Sequence, residues 1–225
     1  MGWWTRITNP VVPVKDFVAD YDRGFLSKLN KNRNISEVTF LVVDSETTGV
    51  DTKNDFILSY GSVKVKGNSI LIGSSREFYL KTKKLSKEAI KVHELVPNQE
   101  TISREDLIRV FLGDAGNQPI VGHHIGFDLA LLEKAGRSFG LKKIKNPVID
   151  TLELGIRLEI GKYADPNRIN FSEYSLDSMC LRYGIFPDDR HTAAGDAFLT
   201  AQLLIKLLKR ARELGILTIG DLLDN

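Results

Sequence analysis

The sequence has a single cysteine, no long apolar run and no marked excess of either charge sign. The lone Cys180 excludes an internal disulfide framework and a cysteine-based zinc cluster. No uninterrupted apolar stretch approaches the ~20 residues of a membrane helix, which excludes a membrane span, and we expect no membrane among the partners. The 31 basic and 29 acidic residues nearly cancel, which argues against a surface dedicated to coating a polyanion. The first residues also lack the pattern of a secretory signal, and we therefore expect a cytoplasmic protein.

Residues 1–36 differ in character from the rest of the chain, and we predict that they form an N-terminal helical extension. Their apolar residues recur at helical spacing: Val14, Phe17, Val18, Tyr21, Phe25, Leu26 and Leu29. One interpretation is a helix that packs on the main domain, which we favour. The other is a helix that binds a partner or a membrane surface, which Trp3 and Trp4 would favour.

Residues 37–225 predict one α/β domain with a mixed sheet, since a strand meander is followed by alternating strands and helices. Its first strand is almost continuously apolar and β-branched, as expected for a strand that is covered on both faces. Ser103 is suited to cap the helix that follows it. The predicted elements are strands 38–43, 55–66 and 69–81, helix 103–112, strand 119–122, helix 126–136, a strand ending at Asp150, and a helix over 192–214.

Two carboxylates follow the first strand at positions that share one face of it, Asp44 and Glu46. Placing both at the end of a buried strand is unfavourable unless something compensates their charge. The alternative is that one carboxylate caps a turn and the other reaches solvent.

Two further aspartates each begin an apolar helical stripe, and this directs them toward the core. Asp128 precedes Leu131, Leu132 and Ala135, and Asp196 precedes Leu199, Leu203 and Leu207. An aspartate that served only the helix dipole would normally face water. His191 lies off the stripe of Asp196, in the loop that enters the helix. There it either leans over the same site or is an ordinary exposed histidine.

Four inward carboxylates from three segments require a compensating charge, because neighbouring like charges raise each other's pKa. Oxygen ligands without cysteine favour Mg²⁺ or Mn²⁺ over zinc. Two such ions about 3.5–4 Å apart hold the attacking and departing oxygens of a phosphoryl displacement. Histidine changes its charge near neutral pH, so His191 is suited to deprotonate the attacking water. The residues therefore predict two-metal hydrolysis of a phosphodiester or phosphomonoester.

The order and spacing of these residues resemble the three motifs of the DEDDh 3′–5′ exonucleases, which include the proofreading epsilon subunit of bacterial DNA polymerase III and ribonuclease T. The resemblance spans roughly residues 37–210. Its motifs are Asp44-x-Glu46-Thr47-Thr48-Gly49, Gly122-His123-x-x-x-Phe127-Asp128 and His191-x-x-x-x-Asp196, with weaker echoes in residues 86–93, 149–152 and 175–185.

The resemblance implies a ribonuclease-H-like fold, with a mixed five-stranded sheet flanked by helices. It implies that four acids are metal ligands, with His191 as general base: Asp44, Glu46, Asp128 and Asp196. The implied reaction releases nucleoside 5′-monophosphates from a 3′ end. The backbone around Thr47 and Thr48 would contact the terminal nucleotide, and Phe127 would border its base or simply pack in the core.

Two features depart from the family pattern. His124 stands where the family usually carries asparagine, and it belongs to the candidate substrate-binding residues. Residues 159–174 are longer and more polar than a minimal connection, so they form either a loop beside the substrate channel or a tolerated insertion. Asp150 also ends an apolar strand, but we assign it to capping the next helix and not to the ligands.

Three hypotheses follow for the function. The leading one is a 3′–5′ exonuclease on single-stranded or frayed DNA; the second is the same chemistry on RNA or short oligonucleotides; the third is an idle nucleic-acid-binding module. We expect a free-standing enzyme, since no tail for binding a polymerase is evident. Two lysine clusters either line a path for phosphates or form solvated faces: Lys81, Lys83, Lys84, Lys87 and Lys91, and Lys142, Lys143 and Lys145.

Overall fold

The computed structural model describes residues 12–27, 29–81, 101–188 and 190–224. The strands are β1 Thr39–Thr47, β2 Ile57–Lys66, β3 Ser69–Leu80, β4 Thr101–Ile102, β5 Ile120–Gly122 and β6 Val148–Asp150. The α-helices are α1 Asp16–Gly24, α2 Arg104–Ala115, α3 Gly126–Gly136, α4 Thr151–Glu159, α5 Leu176–Arg182, α6 Ala193–Glu213 and α7 Ile219–Leu223. Short 3₁₀ turns cover Arg137–Phe139, Pro166–Arg168 and Phe171–Tyr174.

The strands of the described residues form one mixed sheet in the order β4-β3-β2-β1-β5-β6. β2 runs antiparallel to both β1 and β3, whereas β5 and β6 continue the sheet parallel to β1, and β4 pairs parallel with β3. The sheet has six strands, whereas the resemblance implied five. The additional strand is the two-residue β4, which pairs with the end of β3 and is too short to show a periodicity in the sequence.

Helices cover both faces of this sheet, and β1 contributes to a core on each side. Phe40 and Val42 pack with α4, α5 and α6, while Leu41 and Val43 pack with α1, α2 and α3. Alternation along a strand produces this division, because successive side chains point to opposite faces. The prediction of a strand that is covered on both faces is confirmed, and so is the mixed α/β architecture.

The N-terminal helix is shorter than its apolar pattern predicts. α1 ends at Gly24, and Leu26, which was assigned to the apolar face, is 85% exposed. Glycine weakens a helix by about 1 kcal/mol relative to alanine. The helix therefore ends at Gly24, although the apolar pattern of the sequence continues beyond it. Phe17, Val18 and Tyr21 are buried against the domain, in agreement with the packing interpretation.

The docking interpretation depends on Trp3 and Trp4, which lie outside the described residues. Within the part of the chain that is described, no helix is both long and apolar enough to cross a bilayer. The boundary that we place at residue 36 stays a prediction.

Tyr21→Phe tests the packing of α1. The Tyr21 hydroxyl donates to Asn146 Oδ1 at 2.7 Å and accepts from the Lys145 amide at 2.7 Å. Removing it leaves both partners without this bond, and we expect the free energy of unfolding to fall by about 1–3 kcal/mol. Urea denaturation measures the change, with Tyr163→Phe as the control because Tyr163 is 91% exposed. Equal stability of both variants and the wild type would contradict the packing of α1 through this residue.

Candidate active site

Three carboxylates from two elements meet at the end of the sheet. Asp44 and Glu46 lie near the end of β1, and Asp196 lies in the first turn of α6. One carboxylate oxygen from each residue lies within 4.8 Å of the other two. The structure therefore brings together three of the four acids that the sequence pattern selected, although Asp196 follows the other two by about 150 residues in the chain.

Local structure fixes the direction of Asp196. Thr192 caps α6, and its side chain accepts a hydrogen bond from the Gly195 amide at 3.0 Å. The Asp196 amide donates to the Thr192 carbonyl at 2.9 Å, so this aspartate belongs to the first regular turn. The stripe that begins at Asp196 is buried through Leu199 and Leu203, and Asp196 itself is only 8% exposed.

Asp128 lies beside this group and is held by a residue that the sequence analysis did not select. It sits in the first turn of α3 and is 8% exposed, as its apolar stripe predicts. The Ser45 hydroxyl donates to Asp128 Oδ1 at 2.5 Å. Ser45 points away from Asp44 and Glu46 in the alternation of β1, and that is the side from which α3 approaches. Asp128 is not one of the three carboxylates that share the 4.8 Å group.

Burial and mutual repulsion shift the titration of these acids upward. Burial raises the pKa of Asp44 well above its usual range, and the charges of Asp128 and Asp196 add to this. Burial, with Asp196 nearby, raises the pKa of Glu46 to about 7. Burial raises the pKa of Asp128 to about 6 against the opposing effect of the Ser45 hydrogen bond. Without a cation the site favours protonated acids.

Arg190 supplies positive charge at this site, and the sequence analysis missed it. Its guanidinium pairs with Asp196 through Nη1 and with Asp177 of α5 through Nε, the latter at 2.5 Å. Burial raises the pKa of Asp196 above its usual value, against the opposing effect of the Arg190 guanidinium. The only signal in the sequence is that Arg190 directly precedes His191.

His191 lies at the mouth of the site. It is exposed and has a left-handed backbone conformation, with φ 69°. Its charge lowers the pKa of both Glu46 and Asp196, which places the imidazole near these two carboxylates. The histidine thus lies near these acids while it stays in contact with solvent.

The two histidines after β5 differ in exposure, since His123 is partly buried and His124 is exposed. His123 Nδ1 lies 2.9 Å from Thr151 Oγ1, and burial lowers the pKa of His123 to about 4, so it is neutral at physiological pH. His124 is exposed with φ 57°, a conformation that asparagine tolerates better than most residues.

Asp150 performs the capping role predicted for it. Its carboxylate accepts hydrogen bonds from the amides of Leu152 at 3.0 Å, His124 at 3.1 Å and Ile125 at 3.2 Å. Three amide donors satisfy this acid without any cation. The carboxylate therefore ties the start of α4 to the turn that precedes α3.

The remaining candidates for substrate binding lie at the end of β1 and around the start of α3. Thr47 and Thr48 hold the loop after β1, since Thr47 donates to the Gly49 carbonyl and Thr48 to Asp55, each at 2.7 Å. Phe127 is partly buried and packs against the core beneath α3. His124 lines a cleft of about 400 Å³ together with Phe171 and other residues of the 159–174 segment.

The lysine clusters separate into different environments. Lys81 of the first cluster lines a cleft of about 680 Å³, together with Thr48 and with Lys134, which belongs to neither cluster. Lys145 forms an ion pair with Asp22 at 2.6 Å, which assigns it to packing with α1. Lys83, Lys84, Lys87 and Lys91 lie outside the described residues, as does the sequence echo in residues 86–93.

The acid group fits a hard divalent cation. All its donors are carboxylate oxygens, which Mg²⁺ and Mn²⁺ prefer, and the group contains no thiol or imidazole. Asp44, Glu46 and Asp196 carry more negative charge than the one guanidinium of Arg190 neutralises. A bound cation would remove the repulsion that raises their pKa values.

The sequence model of an exonuclease family, RNase_T, matches residues 41–204. Among curated proteins, the chain is 34% identical over 197 residues to the DNA polymerase III PolC-type of Bacillus subtilis, covering 86% of this chain and 13% of that protein. It is 28% identical over 225 residues to the PolC-type polymerase of Thermotoga maritima, covering 95% of this chain and 15% of that protein. The chain thus spans about one seventh of the length of these relatives.

Solved structures show the same fold at low sequence identity. Exonuclease X in complex with 5′-overhanging duplex DNA aligns with a TM-score of 0.58 and 20% identity, covering 82% of this chain and 99% of that one. Escherichia coli exonuclease I in complex with a dA16 oligonucleotide aligns with a TM-score of 0.61 and 16% identity, covering 79% and 42%. The ribonuclease-H-like fold implied by the motifs is confirmed.

Glu46→Gln tests the electrostatics of the acid group. Because the pKa of Glu46 rises from 4.5 to about 7 on folding, the folded protein binds more protons between these pH values. Stability in EDTA should therefore fall as the pH rises from about 4.5 to 7. We expect Glu46→Gln to melt at a higher temperature than the wild type at pH 8 in EDTA, and the difference to vanish below pH 4.5.

The control for this measurement is Glu153→Gln, the same change at an exposed position of α4. It should leave the pH dependence of the melting temperature unchanged. If Glu46→Gln followed the wild-type curve at every pH, the destabilisation of charged Glu46 by burial and by Asp196 would be absent.

Proposed function

The chain belongs to the exonuclease family whose model covers residues 41–204, and from that premise we propose that it removes nucleoside 5′-monophosphates from the 3′ ends of single-stranded or frayed DNA. Membership in the family agrees with the predicted enzyme class and with the motif resemblance. The observation that carries the proposal is the convergence of Asp44, Glu46 and Asp196 within 4.8 Å, with Asp128 and His191 beside them.

Divalent metal ions, Mg²⁺ or Mn²⁺ and two per site, belong to this proposal. The residues that would hold them are Asp44, Glu46, Asp128 and Asp196. Such ions, when bound, stabilise the charge that develops on the attacking and leaving oxygens of an in-line displacement. Support comes from the oxygen-only donor set and from the upward pKa shifts that burial and the neighbouring acids produce.

The protein's own residues take the proton and position the strand. His191 is exposed and close to Glu46 and Asp196, so its imidazole can accept a proton from water at the reacting phosphate and release it to solvent. The backbone at Thr47 and Thr48, in a loop tied by two side-chain hydrogen bonds, is placed to contact the terminal nucleotide. Phe127 and His124 complete the proposed binding residues on the α3 side.

DNA is the favoured substrate. The curated relatives are DNA polymerases of the PolC type, and the solved neighbours are complexes with duplex and single-stranded DNA. RNA and short oligonucleotides remain the alternative substrate class. The free-standing state and the cytoplasmic location also stay predictions; the buried free thiol of Cys180 is compatible with a reducing compartment.

End-labelled oligonucleotides test the activity. We expect the wild type with Mg²⁺ to release labelled mononucleotide at once from a 3′-labelled strand and to shorten a 5′-labelled strand stepwise. Asp196→Asn should lose at least about a hundredfold in rate, because it removes a carboxylate from the acid group. Asp20→Asn, the same change on the exposed face of α1, is the control and should match the wild type.

Parallel DNA and RNA strands of graded length complete this experiment. Faster degradation of DNA supports the proposed substrate, and faster degradation of RNA or of very short strands supports the alternative. Equal behaviour of the wild type and Asp196→Asn would contradict the enzyme itself and favour an idle binding module.

His191→Ala tests the general base. We expect the rate to fall about 10²–10⁴-fold, since general base catalysis typically contributes that much. The affinity for Mn²⁺ should be unchanged, because the imidazole is not among the proposed ligands. Single-turnover kinetics and Mn²⁺ titration measure the two quantities, and an unaltered rate would assign the proton transfer to another group.

A further inference from the structure

We propose that Gly61 is a positioning residue for the acid group: its missing side chain lets the start of α6 lie directly against β2, and this sets Asp196 at its distance from Asp44. The inference rests on the proposed function, since it concerns how the proposed metal ligands are brought together. Gly61 belongs to neither a turn nor a motif in the sequence analysis.

The position of Gly61 in the sheet connects it with Asp44. In the antiparallel pairing of β1 and β2, Gly61 is the register partner of Asp44. Glycine within a strand is unfavourable and often marks a place where another backbone approaches closely. The backbone of Gly61 does not have the positive φ that would by itself require glycine.

The approaching backbone is the first residue of α6. A Cβ atom built on Gly61 would lie 2.1 Å from the Ala193 carbonyl oxygen, 2.2 Å from the Ala193 carbonyl carbon and 2.4 Å from the Ala194 amide nitrogen. Cβ atoms in proteins essentially never come within 3.0 Å of such atoms. All three atoms belong to the main chain, so no side-chain rotation relieves the overlap.

Asp196 moves with this part of the helix. Its amide is bonded to the Thr192 carbonyl at 2.9 Å, and the Thr192 side chain caps the Gly195 amide at 3.0 Å. Ala193 and Ala197 are each 1% exposed, which leaves this turn little freedom to move alone. A displacement of Ala193 away from β2 therefore carries the Asp196 carboxylate away from Asp44 and Glu46.

The size of that displacement is large for a metal site. Restoring an ordinary contact of 3.4 Å from 2.1 Å shifts the backbone on the order of 1 Å. Mg²⁺ demands near-ideal octahedral geometry with ligand distances of about 2.0–2.1 Å. An acid group opened by such a shift would bind the ion less tightly, even if each carboxylate were still present.

Gly61→Ala tests the inference by its affinity for Mn²⁺, which the free-ion electron paramagnetic resonance signal measures. We expect affinity at least about tenfold below the wild type, the loss typical when the residues that orient metal ligands are changed. Two controls carry the same substitution. Gly73→Ala lies in open space on β3, and Gly155→Ala makes a comparable overlap, 2.2 Å to Met179 Cε, whose flexible end can move.

Both controls should bind Mn²⁺ as the wild type does, and Gly155→Ala shows what steric strain alone does to the melting temperature. If Gly61→Ala bound Mn²⁺ as tightly as the wild type, the inference would be wrong while the proposed function stood. If the wild type itself bound no Mn²⁺ at a site that Asp44→Asn removes, the proposed function would fail first and the inference with it.

A second variant reaches the same turn from the helix side, in case Gly61→Ala gives no cooperative melting transition. Thr192→Ala removes the cap of α6 and leaves β2 unchanged, and Ser175→Ala removes the corresponding cap of α5. We expect Thr192→Ala to weaken Mn²⁺ binding and Ser175→Ala not to. Wild-type affinity in Thr192→Ala would show that the seating of this turn does not set the site.

Discussion

Repulsion among carboxylates that share a partly buried space is the constraint on which this structure depends. Oxygen atoms of Asp44, Glu46 and Asp196 lie within 4.8 Å of one another, because β1 and α6 are fixed in place by the hydrophobic cores on the two faces of the sheet. The folded chain cannot relieve the repulsion by turning Asp196 outward, because Asp196 lies on a buried stripe. The chain must therefore protonate the acids or supply positive charge, and this need makes the site suited to a divalent cation.

The two faces of the sheet supply the acids from opposite directions. Asp44 points toward α6, where Asp196 is, while Ser45 points toward α3 and holds Asp128 at 2.5 Å. Arg190 bridges Asp196 and Asp177, so α5 also contributes to the charge balance. In this arrangement a guanidinium neutralises part of the acid group, and a divalent cation would compete with it for Asp196.

Much of this arrangement could be predicted because it depends on periodicity. The apolar run in β1 and the stripes behind Asp128 and Asp196 were visible in the sequence, as were the caps Ser103 and Asp150, which accept hydrogen bonds from Asp106 and Leu152. The rest depends on contacts between distant segments. Ser45, Arg190 and Gly61 act through partners that no local pattern reveals, β4 is too short for a pattern, and α1 ends where Gly24 interrupts its pattern.

Anomalous diffraction from crystals grown with Mn²⁺ tests the central claim most directly. We expect a strong peak between Asp44, Glu46 and Asp196, within about 2.5 Å of an oxygen of each, with the Arg190 guanidinium moved off Asp196 and retained by Asp177. A map without a peak at this position, in which Arg190 still pairs with Asp196, would contradict the account.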